Sequence, residues 1–168
     1  MHFYMTIDTI KQHCTCDYYV CVTFTNISPL ECDTLAPFHI LSFDIECLSY
    51  VSWKTHDSIF PNYNNQHDVV AQIGVCTWTV GTELYEKRVF VLDQYYHFSN
   101  APTVLDDGTV VIPCVTECDV LMYWARYIHE TDADMLTGYN IFGFDYEYLY
   151  ECARLLGMQD MFVRIFGN

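Results

Sequence analysis

Positive charge is what this chain of 168 residues has least of. Seven lysines and arginines stand against 22 aspartates and glutamates, a formal net charge of −15. The chain therefore has no broad basic face of its own, the footprint on which sequence-independent attachment to nucleic acid rests. Long apolar runs are missing too. No stretch reaches the ~18 uninterrupted apolar residues that a membrane-spanning helix needs. The start, Met1-His2-Phe3-Tyr4-Met5-Thr6, has no basic region followed by an apolar core, so no secretory signal is expected.

What is present is a foldable composition. Apolar residues make up 52% of the chain, enough for one domain with a core. The nine cysteines are odd in number and irregularly spaced, which points to reduced thiols in an intracellular setting rather than to a disulfide framework. His13-Cys14-Thr15-Cys16, with Cys21 nearby, is too tightly spaced for a structural zinc site and has no second pair downstream. Cys114 and Cys118 straddle an expected helix start, and free thiols are expected there as well.

The chain is organised around Leu41-Ser42-Phe43-Asp44-Ile45-Glu46-Cys47. An apolar strand from Phe38 ends in two acids one residue apart, and alternation puts Asp44 and Glu46 on one face. Two carboxylates at the end of a buried strand repel each other and lose hydration. A hard divalent cation with oxygen ligands compensates both costs. The plainer alternative is a strand end that has reached solvent. A second stretch, Thr137-Gly138-Tyr139-Asn140-Ile141-Phe142-Gly143-Phe144-Asp145-Tyr146-Glu147-Tyr148, again brings an acid after an apolar and aromatic approach.

Other elements follow from periodicity. Tyr18 to Phe24 reads as a strand and Asn26-Ile27-Ser28-Pro29 as a turn. Strands are expected at 38–45, 69–80 and 86–92, with Gly81-Thr82 turning the second into the third and short links making neighbours antiparallel. Residues 49–68 and 99–113 read as loops, the latter with room for a small hairpin. Thr116 with Asp119 marks a helix start. Val120, Leu121, Trp124, Tyr127 and Ile128 form its inner stripe. A short strand is expected over 134–138. A second helix follows from Asp145, with Leu149, Cys152, Ala153 and Leu156 inward and Gly157 at its end.

Phe43-Asp44-Ile45-Glu46, and Tyr139-Asn140 followed by Phe144-Asp145 and Tyr148, resemble the first and second exonuclease motifs of family B DNA polymerases. Leu35-Ala36-Pro37, Ile59-Phe60-Pro61 and Asp68-Val69-Val70-Ala71-Gln72-Ile73 resemble the delta-like branch, which includes polymerases of large DNA viruses. A lone Asp-x-Glu is weak, but two motifs in order with matching segments between them are specific. The resemblance covers most of residues 35–157. It implies an α/β, ribonuclease-H-like 3′–5′ exonuclease fold, a mixed sheet flanked by helices, incomplete at the C-terminus. Residues 1–37 would be the tail of the preceding domain and a lead-in, and 38–168 a partial exonuclease domain.

By that resemblance Asp44, Glu46 and Asp145 are catalytic and ligate two Mg²⁺ or Mn²⁺ ions, and Tyr139, Asn140 and Phe144 hold the frayed 3′ end. Core packing for Phe144, a structural strand-end role for Tyr139 and helix capping for Asp145 are the plain alternatives. Implied partners are single-stranded DNA 3′ ends, nucleotides in a parent polymerase, and a processivity factor. The implied place is the nucleus or a viral replication compartment. The chain departs from the family in two ways. Glu147 stands where the family usually has proline, and no Tyr-x-x-x-Asp follows the second motif. The expectation is thus a proofreading fragment with little activity by itself, its basic channel lying in other parts of a larger protein. A free-standing exonuclease-fold protein, or a non-catalytic interaction module, is the alternative.

Overall fold

The computed structural model describes residues 22–29, 31, 33–35, 37–55, 57, 59–65, 67–83, 85–96 and 102–166. Its contacts divide the chain into two units, residues 1–34 and 35–168. In the first unit the described residues hold one 3₁₀ turn, Phe24–Asn26, closed by Asn26 N–H to Thr23 O at 2.8 Å and Ile27 N–H to Phe24 O at 3.1 Å. Phe24 thus lies in a turn and not at the end of a strand, and the turn expected from Asn26 onward begins two residues earlier. The rest of the expected Tyr18 strand, and His13 to Cys16 with Cys21, lie outside the described residues.

The second unit is built on six strands. They are β1 (His39–Leu48), β2 (Val69–Thr79), β3 (Tyr85–Leu92), β4 (Thr103–Val104), β5 (Val110–Cys114) and β6 (Met135–Thr137), in spatial order β4-β5-β3-β2-β1-β6. β1, β2 and β3 are antiparallel neighbours, β2 and β3 through a short turn and β1 and β2 through the longer segment 49–68, while β6 lies parallel to β1 and β5 parallel to β3. The helices are α1 (Tyr50–Thr55), α2 (Asp93–Tyr96), α3 (Glu117–Thr131), α4 (Asp145–Leu155) and α5 (Gln159–Phe166).

Alternation decides the faces. Leu41, Phe43 and Ile45 of β1 and Ile73 and Val75 of β2 are buried, and Asp44 and Glu46 between them are exposed. The buried face meets α3 and α4: Phe43 and Trp124 have ring centroids 5.1 Å apart, and Thr77 and Tyr127 hydroxyls lie 3.4 Å apart. Trp124, Leu121, Val120 and Leu149 are fully buried, each removing roughly 1.5–3 kcal/mol worth of apolar surface from water. α3 starts with a complete capping box. The Thr116 hydroxyl accepts from Asp119 N–H, and Asp119 accepts from Thr116 N–H at 2.9 Å.

Several expectations needed correction. The loop expected over 49–68 contains α1, six residues too short to leave a period. The expected 99–113 loop yields β4 and β5, joined through a turn in which Gly108 has φ +83°. Pro113 sits inside β5, beyond the two residues that pair with β4, where a missing N–H costs no bond on that side. Leu156 is not on the inner face of α4 but exposed. Gly157, just past the helix, has φ +71°, a backbone that favours glycine. The apolar C-terminal piece forms α5, whose Phe162 packs on Trp124 with ring centroids 5.8 Å apart.

Candidate active site

Asp44 and Glu46 stand on the half-open face of the sheet, opposite Gly74 and Gln72 of β2 in the strand register. A Cβ at Gly74 would meet nothing within 4 Å, so the surface beside Asp44 is open. Directly after Glu46 the β1–β2 register shifts at a bulge, Cys47 pairing with Val70. A bulge bends the strand and re-aims the side chains next to it.

Beyond β6, the β1 edge is open to the approach of the second motif. β6 pairs with β1 only over Ile40 to Ser42. The chain then passes close to the Phe43 carbonyl at Gly138, where a Cβ would collide with that oxygen and with Ile141 Cγ2. Asn140 follows with φ +53°. Its carbonyl accepts from Gly143 N–H at 2.8 Å and from Phe144 N–H at 3.2 Å, making a tight turn. A Cβ at Gly143 would strike the Asn140 amide, so glycine is what lets that side chain fold over the turn.

The turn delivers Asp145 as the first residue of α4, with Phe144 as the N-cap. Asp145 is therefore a first-turn acid of α4 and not its N-cap. Its side chain is 3% exposed and Oδ1 accepts from the Ile45 N–H at 3.2 Å. Burial raises the Asp145 carboxyl above the usual range; its hydrogen bonds to backbone N–H groups oppose this, and the Asp44 charge adds to the rise. The structure thus sets Asp145 between the backbone positions of the two exposed acids.

The three other candidates are placed differently from one another. Tyr139 is 91% exposed and Asn140 is exposed, so neither is held in the core. Phe144 is half-buried. Its ring lies 5.1 Å from that of Phe60 and 5.3 Å from that of Tyr148. It packs against the core and also meets Phe60, which is 73% exposed.

Three features escaped the sequence reading. Phe60 joins Phe144, and Tyr63 Oη donates to Glu147 Oε1 at 3.2 Å. Glu117 accepts from Val70 N–H at 2.8 Å, and burial raises its carboxyl. All three are contacts across 47 or more residues, for which a single sequence carries no local signal.

Among the described residues no three His, Cys, Asp or Glu side chains are gathered closely enough to hold a metal ion. The donor chemistry nevertheless suits one. Asp44, Glu46 and Asp145 offer hard carboxylate oxygens, and the unfavourable Asp44–Asp145 charge interaction is one that a cation relieves.

Comparison with known proteins agrees on the family. The description "DNA polymerase family B, exonuclease domain" matches residues 4–163. A DNA polymerase of Acanthamoeba polyphaga mimivirus is 33% identical over 144 residues, covering 84% of this chain and 8% of its own length. The DNA polymerase delta catalytic subunit of Arabidopsis thaliana is 38% identical over 130 residues, 77% of this chain and 10% of its own. This chain therefore spans a small part of the curated relatives it matches. A family B DNA polymerase structure from Pyrobaculum calidifontis is 24% identical with a TM-score of 0.48, covering 76% of this chain and 12% of that one.

Proposed function

The chain belongs to the DNA polymerase family B exonuclease domain family, and from that premise we propose that it is the 3′–5′ proofreading segment of a longer replicative polymerase. Asp44, Glu46 and Asp145 are its catalytic acids and the ligands of two Mg²⁺ or Mn²⁺ ions. Residues 38–168 are the exonuclease part and 1–37 the tail of the preceding domain. The observation that carries the reading is the Asp145 to Ile45 hydrogen bond, which ties the second motif to the first between its two acids.

The reaction is hydrolysis of the terminal phosphodiester. Water attacks phosphorus, the bond to the 3′ oxygen breaks, and that oxygen takes a proton. Asp44, Glu46 and Asp145 would hold a pair of divalent cations, which when bound would supply water activation and offset the negative charge on the phosphate and the leaving oxygen. Glu46 orients the water from the exposed face of β1. Asp44, beside the open surface at Gly74, meets the same site. Asp145 is preorganised, because its carboxylate is already fixed on the strand backbone.

Tyr139, Asn140 and Phe144 receive the frayed strand. Stacking on an aromatic ring contributes about 1–3 kcal/mol per base and tolerates any sequence, which suits an editing site. With seven basic residues against 22 acids, the chain does not hold a DNA duplex by charge. Nucleotides, the primer duplex and a processivity factor belong to the rest of the parent polymerase, in a nucleus or a viral replication compartment. No described helix is long and apolar enough to cross a membrane.

The test is trimming of a 5′-labelled single strand in Mg²⁺ or Mn²⁺, by the 168-residue chain and by the full gene product. Since no Tyr-x-x-x-Asp follows Asp145 here, the short chain trims little or nothing. The full product trims, and Asp44→Ala abolishes it. Trimming that survives both Asp44→Ala and Asp145→Ala overturns the assignment.

A further inference from the structure

We propose that Tyr63 and Glu147 form a latch that positions the strand-binding rings of this site. The inference rests on the proposed role of Phe144. The segment 59–65 is fixed at both ends. Ser52 Oγ donates to Ile59 O at 2.9 Å and accepts from Ile59 N–H at 2.8 Å. Asp68, 6% exposed, accepts from Tyr50 N–H, Asn62 N–H and the Asn65 amide, each at 2.9 Å. Between these anchors the segment lies against α4 through two ring contacts and one hydrogen bond. Phe60 meets Phe144, Tyr63 meets Tyr148 with centroids 5.8 Å apart, and Tyr63 Oη donates to Glu147.

The geometry separates this pair from ordinary loop packing. Anchors at Ser52 and Asp68 fix where the segment begins and ends, and their hydrogen bonds stay within residues 49–68. Ring contacts hold the segment close yet allow sliding, because dispersion and edge-to-face attraction are broad in distance and angle. A hydrogen bond narrows both. The bond falls on the first turn of α4, two residues after Asp145 and three after Phe144. It therefore sets the height at which Phe60 borders Phe144, and with it the width of the aromatic seat offered to a base. Glu147 occupies the place where the resembling family usually has proline, which has no side-chain acceptor.

The test uses the 168-residue chain, a fluorescein-labelled oligothymidylate, and hydrogen exchange at the backbone amides of 59–65. Tyr63→Phe keeps the ring and removes the hydroxyl, and Glu147→Ala removes the acceptor. Glu147→Gln keeps an acceptor oxygen and is the rescue variant. Each disruptive variant is expected to speed exchange in 59–65 and to weaken oligothymidylate binding by about three- to tenfold, the range of one hydrogen bond. The double variant is expected to be no worse than either single one, and Glu147→Gln to stay near wild type. Unchanged exchange in Tyr63→Phe overturns the latch. Faster exchange with unchanged affinity, while Phe144→Ala weakens binding, overturns the positioning role and leaves the assignment of Phe144 standing. A wild-type chain that binds no oligothymidylate contradicts the strand-binding reading and this inference with it.

Discussion

The carboxylate of Asp145 accepts a hydrogen bond from the backbone N–H of Ile45, 3.2 Å away and 100 residues earlier in the chain. The acceptor is buried, and its partner is the residue between the two exposed acids of β1. The bond therefore joins the two motifs physically and also leaves a charge under cover, which is why the Asp145 carboxyl sits above its usual range. These two consequences have opposite signs for stability, and substitutions separate them. Asp145→Asn keeps an acceptor oxygen and removes the charge. Asp145→Ala leaves the Ile45 N–H unpaired, at a cost of about 1–3 kcal/mol. Urea unfolding at neutral pH is expected to find the Asn variant more stable than the Ala variant by about that amount, and at least as stable as wild type.

Two glycines around the site differ in what a methyl group would meet. At Gly138 an added Cβ collides with the Phe43 carbonyl and with Ile141, while at Gly74 it meets nothing. Gly138→Ala is expected to lower stability by about 1–3 kcal/mol, as overpacking does, and to loosen the turn that delivers Asp145. Gly74→Ala is expected to fold with stability within about 0.5 kcal/mol of wild type. Thermal melts of the two variants side by side check the contrast.

Glu117 gives the stability a pH dependence. Burial raises its carboxyl above the ordinary value of 4.5, while its bond from Val70 N–H pulls the other way. A carboxyl raised in the folded chain holds its proton more tightly there than in the unfolded chain. Its contribution is present below 4.5 and is lost as pH rises through the higher folded value. Glu117→Gln removes that loss. Denaturant midpoints of the variant minus wild type are expected to increase as pH rises above 4.5 and then to level off. A difference that shrinks with rising pH shows the opposite linkage.

The legible parts of this protein were those carried by local pattern. Alternation around Asp44 and Glu46 was readable, and so were the Thr116–Asp119 capping box and the inner stripe of α3, because each depends on neighbours within a turn or two. The family resemblance added the order of the motifs. What stayed hidden was either too short or too distant. α1 has six residues and leaves no period, and Phe24, expected to end a strand, opens a 3₁₀ turn. β5 contains a proline that only its position beyond β4 makes harmless. The pairings Asp145 to Ile45, Glu117 to Val70 and Tyr63 to Glu147 exist only once the sheet is assembled.

The central claim is that Asp44, Glu46 and Asp145 together take a divalent cation, and Mn²⁺ binding followed by electron paramagnetic resonance tests it most directly. The wild-type chain is expected to bind Mn²⁺ and to release it on addition of Mg²⁺, with Asp44→Ala and Asp145→Ala each weakening the binding at least tenfold, about 1.4 kcal/mol. Equal Mn²⁺ binding by wild type and both variants would contradict the account.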